Sequence, residues 1–289
     1  MRSFLYTRPA SVAEVVALLD QYGSEAKILA GGTDLLVRIR AGHTRPKMVI
    51  DLKRVAALGT GIVEIESRLR FSALTTMAHI LEDKHVKGSF PALAEAAHVV
   101  GSVQIRNRAT LTGNICNASP AADTAPALLV YGAIVNMTGT YGRRSVTVSE
   151  FFTGPGETVL NRGEIVESID LPLPPERTGA AFGRVTRRWG VDLATISLCC
   201  VVEASGRVRF AYGAAAPRPV LVEDSSGVLV DPVADSNEKD AVLRRLISHT
   251  SPRTDLRGSR DYREAMLLVM SRRALRSAIG RLSRTDEAG

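Results

Sequence analysis

Apolar residues near the amino terminus fall at helical spacing, with Val12, Val15, Val16, Leu18 and Leu19 on one face, the signature of an amphipathic helix. Ser11 and Glu14 form a capping box ahead of them and Gly23 supplies a stop. The spacing then changes. Ala26–Leu29 and Lys47–Leu52 read as strands, and Ile62–Glu66 with Arg70–Ser72 predicts an antiparallel pair. Helical spacing returns at Met77–Asp83 and Pro91–Val100, and strands recur at Ala133–Thr138, Ser145–Val148 and Ile165–Leu171. Leu171-Pro172-Leu173-Pro174-Pro175 is the best linker, because proline stiffens an extended connection and interrupts sheet pairing. Beyond it, Ala181–Thr186, Thr195–Ala204 and Val208–Tyr212 have strand character, with a turn at Ser205-Gly206. After the polar stretch Asp231–Asp240, amphipathic helices are expected near Lys239–Ser248 and Ser259–Ile279. This order predicts an α+β chain ending in a three-stranded sheet packed on helices, with no internal repeat.

Two segments between these elements carry candidate chemistry. The first is Ala30-Gly31-Gly32-Thr33-Asp34, which leaves the apolar Ile28-Leu29 and opens into Leu35-Leu36-Val37. Paired glycines allow positive φ and bring no Cβ between backbone and ligand, so successive N–H groups can face one concave space. Thr33 or Asp34 can cap the helix that follows, and the run reads as a dinucleotide phosphate site or, more plainly, as a turn. The second segment, Gln104 to Asp123, is rich in small polar residues: Thr110, Thr112 and Ser119 offer hydroxyls, and Asn107, Asn114 and Asn117 offer amides around Gly113. It suits a polar ligand held against backbone, or equally a long loop in which Ser119 or Asp123 only caps the run from Ala125 to Tyr131.

Composition narrows the choice. A chain of 289 residues with 45% hydrophobic content is long enough for two domains at about 100–200 residues each. No apolar run approaches the roughly 18 residues of a membrane span. The amino terminus reaches Pro9 without an apolar signal core, so the expected location is cytoplasmic. The formal charge of +7 raises nucleic acid as a partner, but the arginines after Ala241 are interleaved with Asp255, Asp261 and Glu264 and lack an aromatic stacking series. A solvated or subunit-docking helix face is the better reading, and no nucleic-acid partner is expected. With Cys116 isolated and Cys199-Cys200 adjacent, the chain has no four-cysteine set for an iron–sulfur cluster. His43, His79, His85, His98 and His249 stand singly, so neither a metal site nor a catalytic triad is expected, and the chemistry falls to a cofactor.

The chain resembles the FAD-binding medium subunit of the molybdenum-containing hydroxylases, the family of carbon monoxide, nicotinate, quinoline and xanthine dehydrogenases. The resemblance rests on LAGGTDLL at 29–36, SVQIRNRATLTGNICNASPAADTAPALL at 102–129, RVTRRWGVDLA at 184–194, YGAAAPRPV at 212–220 and RDYREAMLLVMSRRAL at 260–275. It implies a two-part FAD-binding domain of the vanillyl-alcohol-oxidase/p-cresol-methylhydroxylase (PCMH) type over 1–175, with subdomains of about 1–57 and 58–175. A C-terminal domain of the CO dehydrogenase flavoprotein type then covers 176–289.

The same resemblance implies that Leu29, Ala30, Gly31, Gly32, Thr33, Asp34, Leu35 and Leu36 wrap the FAD pyrophosphate, with Lys27 close by. Gly101, Thr110, Leu111, Thr112, Gly113, Asn114 and Asp123 fall at the matching positions on the other side of the cofactor, Asp123 accepting from sugar or ribityl hydroxyls. Ile169 and Arg187 look like later contacts, and Leu74-Thr75-Thr76-Met77 resembles the segment near the flavin ring. The family pattern reads Gly-Thr-Ile/Leu-Gly-Gly-Asn where this chain has Ala109-Thr110-Leu111-Thr112-Gly113-Asn114. A positive φ at Thr112 would be strained, whereas its hydroxyl could donate to a phosphate. The expected function is an FAD-carrying electron-transfer subunit. Molybdopterin belongs to a large partner subunit and 2Fe-2S clusters to a small one, assembled as a heterohexamer, a dimer of heterotrimers. NAD, a quinone and dioxygen all stay open as acceptors. The alternatives are a self-sufficient FAD-dependent oxidase or dehydrogenase and a flavin-free scaffold subunit.

Overall fold

Residues 3–174 and 177–287 are described by the computed structural model. After the short strand β1 (Leu5–Thr7), helix α1 (Val12–Tyr22) starts at its expected cap: Ser11 Oγ accepts from Glu14 N at 3.2 Å. The Glu14 carboxylate reaches back to Ala10 N at 2.9 Å, one residue further than a standard box. Then come β2 (Ala26–Leu29), α2 (Leu35–Arg40) and β3 (Met48–Asp51). β3 lies between β1 and β2 and runs parallel to both. All four of its residues are buried, whereas β1 exposes Leu5 and Tyr6 and is too short to show a period. Val15, Leu19, Ile50, Val55 and Leu58 form the core beneath this small sheet.

The second unit of secondary structure is a five-stranded antiparallel sheet with helices. In chain order it comprises β4 (Ile62–Ile65), β5 (Arg68–Ser72), α3 (Met77–Glu82), α4 (Lys84–Ser89), α5 (Pro91–His98), α6 (Val103–Arg106), α7 (Leu111–Cys116) and α8 (Thr124–Val130). It continues through β6 (Ile134–Gly139), β7 (Gly142–Thr147), α9 (Val148–Phe151), the hairpin β8 (Phe152–Gly154) and β9 (Glu157–Thr158), and β10 (Ile165–Pro172). The strand order is β4-β5-β10-β6-β7, so the last strand of the unit is inserted at its centre. Arg70 and Asp170, opposite one another on β5 and β10, form a bidentate pair with both contacts at 2.7 Å. Every residue of α8 is buried, and after Thr124, whose hydroxyl donates to Asn114 Oδ1 at 2.6 Å, that helix is apolar all round. Helix α4, absent from the sequence reading, is capped by Asp83, whose Oδ1 accepts from Val86 N at 2.9 Å.

β10 continues to Pro172, so the proline-rich linker begins as the end of a strand; Pro175 and Glu176, where the domain boundary is expected, lie outside the described residues. The C-terminal sheet has four strands, not three. β11 (Thr178–Val185), β12 (Ile196–Glu203) and β13 (Val208–Gly213) are joined by β14 (Val220–Asp224), all antiparallel and in chain order. β14 was hidden because its five residues follow Pro217 and Pro219, which mark a turn and not a strand. Helices α10 (Ser236–Ile247) and α11 (Arg260–Glu287) complete the chain.

β12 is buried on both faces. Cys199 and Val201 join the core shared with α8, while Leu198, Cys200 and Val202 join the core beneath α11. The two-residue period of a strand thus divides the continuous apolar run between two cores. On the α11 side the packing is backbone to backbone: a Cβ at Gly179 would fall within the Ala278 carbonyl oxygen. Gly179→Ala is expected to destabilise the chain by about 1–3 kcal/mol through overpacking. The check is a thermal melt, in which Tm falls by about 2–4 °C for each kcal/mol in a protein of this size class.

Candidate cofactor cleft

The paired glycines sit where β2 leaves the parallel sheet. Gly32 has φ +79°, a left-handed conformation that glycine tolerates best. Gly31 lies against the second candidate segment so tightly that a Cβ would fall on the Arg108 carbonyl oxygen. Behind the loop, Lys53 Nζ pairs with Asp51 at 2.7 Å and donates to Ala30 O at 3.4 Å; Asp51 also accepts from Tyr6 Oη at 2.5 Å. The expected side-chain cap is not made. Asp34 occupies the cap position of α2 but forms no capping hydrogen bond, and that helix is six residues long.

The second segment is a chain of short capped helices and not an open loop. Ser102 Oγ accepts from Ile105 N at 3.3 Å to start α6, and Thr110 Oγ1 accepts from Gly113 N at 3.0 Å to start α7. Gly101, at φ +54°, turns the chain into it. The segment expected near the flavin ring runs alongside: Met77 N donates to Ala109 O at 2.9 Å, Leu111 N to Thr75 O at 3.0 Å, and Thr76 bridges Thr110. Thr112 lies inside α7 without positive φ, so the strain expected there is absent. Its hydroxyl donates to the Ala73 carbonyl and is already committed.

Between the two segments lies a cleft of about 1120 Å³, ample for a dinucleotide-sized ligand by the usual range of about 300–1,000 Å³. It brings together Lys27, Ala30, Gly31, Gly32, Thr33, Asp34, Leu35, Gly101, Thr110, Thr112, Gly113, Asn114 and Asp123. Leu29, Leu36, Thr76, Leu111, Ile169 and Arg187 are not in its lining. Leu29 and Leu111 are buried, Leu36 faces solvent, and Thr76 caps α3 through His79 N. Ile169 is wholly buried in β10 opposite Phe71 and Val135. Arg187 is exposed and donates to Asp192 at 3.2 Å, while Arg188, Val191, Asp192 and Leu193 line the cleft from the β11–β12 loop. Sequence reasoning also missed Arg38 within α2 and His43 and Arg45 just after it, all of which line the cleft. Their only signal was an excess of cations just after the glycine motif.

The electrostatics of the wall are uneven. Asp123 is buried, at the first turn of α8, yet its side chain does not cap that helix. Oδ2 accepts from Arg184 NH1 at 2.8 Å, while Oδ1 is buried without a hydrogen-bond partner among the described residues. Desolvation outweighs the arginine, and the carboxyl is pushed up to about 6. Asp192 likewise has one buried oxygen without a partner, but its hydrogen bond from Arg187 holds it below the usual carboxylate range. A buried acceptor with no partner costs about 1–3 kcal/mol, so both oxygens favour a donor entering the cleft. Cys116 also lines the cleft, and burial pushes its thiol up to about 12, so it is a neutral packing group and no nucleophile.

Residues 2–174 match the family model described as the FAD binding domain in molybdopterin dehydrogenase, and residues 180–278 match the CO dehydrogenase flavoprotein C-terminal domain. The carbon monoxide dehydrogenase medium chain of Hydrogenophaga pseudoflava is 34% identical over 96% of this chain and 98% of that one. The xanthine dehydrogenase FAD-binding subunit of Escherichia coli O157:H7 is 30% identical over 95% of each chain. A solved carbon monoxide dehydrogenase from Hydrogenophaga pseudoflava superposes with a TM-score of 0.89 at 33% identity, over 97% of this chain and 98% of that chain.

Because the Thr112 hydroxyl is spent on Ala73, Thr112→Ala is expected to lower stability by about 1–3 kcal/mol, the cost of an orphaned buried carbonyl. A thermal melt reads that loss, and cofactor content measured on the same preparation should stay unchanged.

Proposed function

This chain belongs to the family of FAD-binding subunits of molybdopterin dehydrogenases, and we propose that it holds FAD in the cleft and passes electrons from 2Fe-2S clusters of a partner subunit to an external acceptor. The observation that carries this reading is the cleft itself, formed where the two glycine-bearing segments meet and lined by Asp123 and Asp192, each of which has one buried oxygen without a donor. The residues present fit the cofactor. Backbone near Gly31 and Gly32 is bare enough for a pyrophosphate, Lys27 and Arg38 supply positive charge, and Asp123 and Asp192 present acceptors to ribityl or ribose hydroxyls.

FAD, when bound, supplies the capacity to take electrons singly and release them as a pair. The chain's own residues position it and control its surroundings. The aliphatic core behind α7 and β10 keeps water from the back of the cleft, since Leu111, Ile115 and Ile169 are fully buried there. Substrate hydroxylation requires no acid or base from this subunit, because that chemistry belongs to a molybdopterin-bearing partner. In this reading residues 1–175 are the FAD-binding domain, of the PCMH type and in two subdomains, and 176–289 the C-terminal domain. The assembly is a cytoplasmic dimer of heterotrimers with large molybdopterin and small 2Fe-2S subunits. None of the described helices is long and apolar enough to cross a membrane.

The test is the visible spectrum of the protein purified with its partner subunits, followed by acid release of the cofactor. Equimolar FAD together with iron–sulfur absorbance is expected, and a colourless complex overturns the reading. Turnover by the isolated chain would instead favour a self-sufficient oxidase. Gly31→Ala is expected to lower FAD occupancy severalfold, because a Cβ there forces the loop away from Arg108.

A further inference from the structure

We propose that Arg184 is a positioning residue for the cofactor, reaching from the C-terminal sheet to hold Asp123 so that its second carboxylate oxygen accepts a hydrogen bond from a sugar or ribityl hydroxyl of FAD. The inference rests on the FAD reading above and adds to it a residue outside the cleft lining. Arg184 lies in β11, opposite Ser197 of β12. A single guanidinium nitrogen, NH1, donates to Asp123 Oδ2 at 2.8 Å and to Val99 O at 3.2 Å. Three elements therefore meet at one cation: β11, the start of α8, and the end of α5, where Val99 itself lines the cleft. The side chains are 13% and 9% exposed, so water screens the pair little. Asp123 is released from capping its own helix, and Arg184 occupies one of its oxygens. The other oxygen is therefore a fixed acceptor.

The remaining ionisable groups around Asp123 do not substitute for Arg184. Cys199 of β12 is close enough to sense Asp123, but its thiol is pushed well above the ordinary range and stays neutral. Cys116 of α7 is neutral for the same reason. Glu95 of α5 acts on the same Cys199 thiol but is engaged by Phe182 N and Arg281, and His98 faces a separate groove beside α11. Arg187, outside the cleft lining, is committed to Asp192. Arg184 is thus the cation that keeps a desolvated carboxyl ionised near neutral pH. Since Asp123 titrates at about 6, well above its ordinary value, the acceptor is fully ionised only above that pH. A hydroxyl donating to the ionised form binds more tightly than one facing the protonated form. Affinity for FAD therefore falls as pH drops through about 6.

The experiment titrates FAD into the flavin-stripped full-length chain in its complex, followed by flavin fluorescence from pH 5 to 9. Arg184→Met is expected to weaken FAD binding about tenfold at pH 7 and to move the acid limb upward by about one pH unit. Arg184→Lys, which keeps the charge but replaces the planar guanidinium by an ammonium, should leave the limb near its wild-type position with a smaller loss of affinity. Asp123→Asn should remove the limb, and adding Arg184→Met to it should change affinity by less than about twofold, the non-additivity of residues acting as one unit. An unmoved limb in Arg184→Met, or losses that simply add in the double variant, overturns the proposal. If Arg184→Met fails to fold, Arg184→Gln, which also removes the charge but keeps a polar side chain, is read in its place: a limb moved upward supports the proposal and an unmoved limb overturns it. Wild-type protein that binds no FAD at any pH would instead overturn the FAD reading itself.

Discussion

The contact between Gly31 and the Arg108 carbonyl is the constraint on which the cleft depends. It presses the loop after β2 directly onto the segment that enters α7, joining the parallel sheet to the five-stranded sheet by backbone packing. No side chain longer than a hydrogen fits there. Lys53, anchored on Asp51, supports the same loop from behind through Ala30 O, so the end of β3 and the turn after β2 are held as one piece. The walls of the cleft are consequently set by main-chain geometry, which changes less than side-chain rotamers do and suits a large cofactor bound against backbone.

Buried carboxylates elsewhere in the chain show why those in the cleft are different. Asp170 has both oxygens engaged by Arg70, and Asp51 is shared among Lys53 and Tyr6; each is held below its ordinary range despite burial. Asp123 has one oxygen engaged and is pushed upward. A structural ion pair uses its acceptors internally, because a buried charge must be compensated. Leaving one oxygen of Asp123 and one of Asp192 open costs stability and is repaid only when a donor arrives. Other arginines follow the first pattern: Arg272 with Asp240, Arg245 with Asp224 and Arg263 with Asp255 tie the C-terminal helices and loops together.

The C-terminal sheet is therefore more than an appended layer. β12 gives its alternate residues to two cores, and Arg184 on the neighbouring strand reaches the cleft through Asp123. Ala214 N adds a backbone hydrogen bond to Pro120 O at 2.7 Å, only three residues before Asp123. Rigid packing of α11 on β11, with Gly179 against Ala278, is in this way connected to the position of a cleft carboxylate.

Local chemistry was legible from the sequence alone. The cap at Ser11, the stop at Gly23, the strand Ala26–Leu29 and the glycine pair after it depend on neighbours a few residues away, and they stand where their spacing places them. Family resemblance pointed to Asp123 and to the two glycine-bearing segments that the fold brings to the cleft. Tertiary structure decided what depends on distant partners. It set β14 beside β13 in spite of its flanking prolines and turned the long polar loop into short helices. It also committed the Thr112 hydroxyl to Ala73 and paired Arg184 with an aspartate 61 residues earlier. Helix caps and strand periods are properties of a short stretch of chain. The ionisation of a buried carboxylate is set by the groups that folding brings within a few ångströms of it, and sequence spacing alone does not record those.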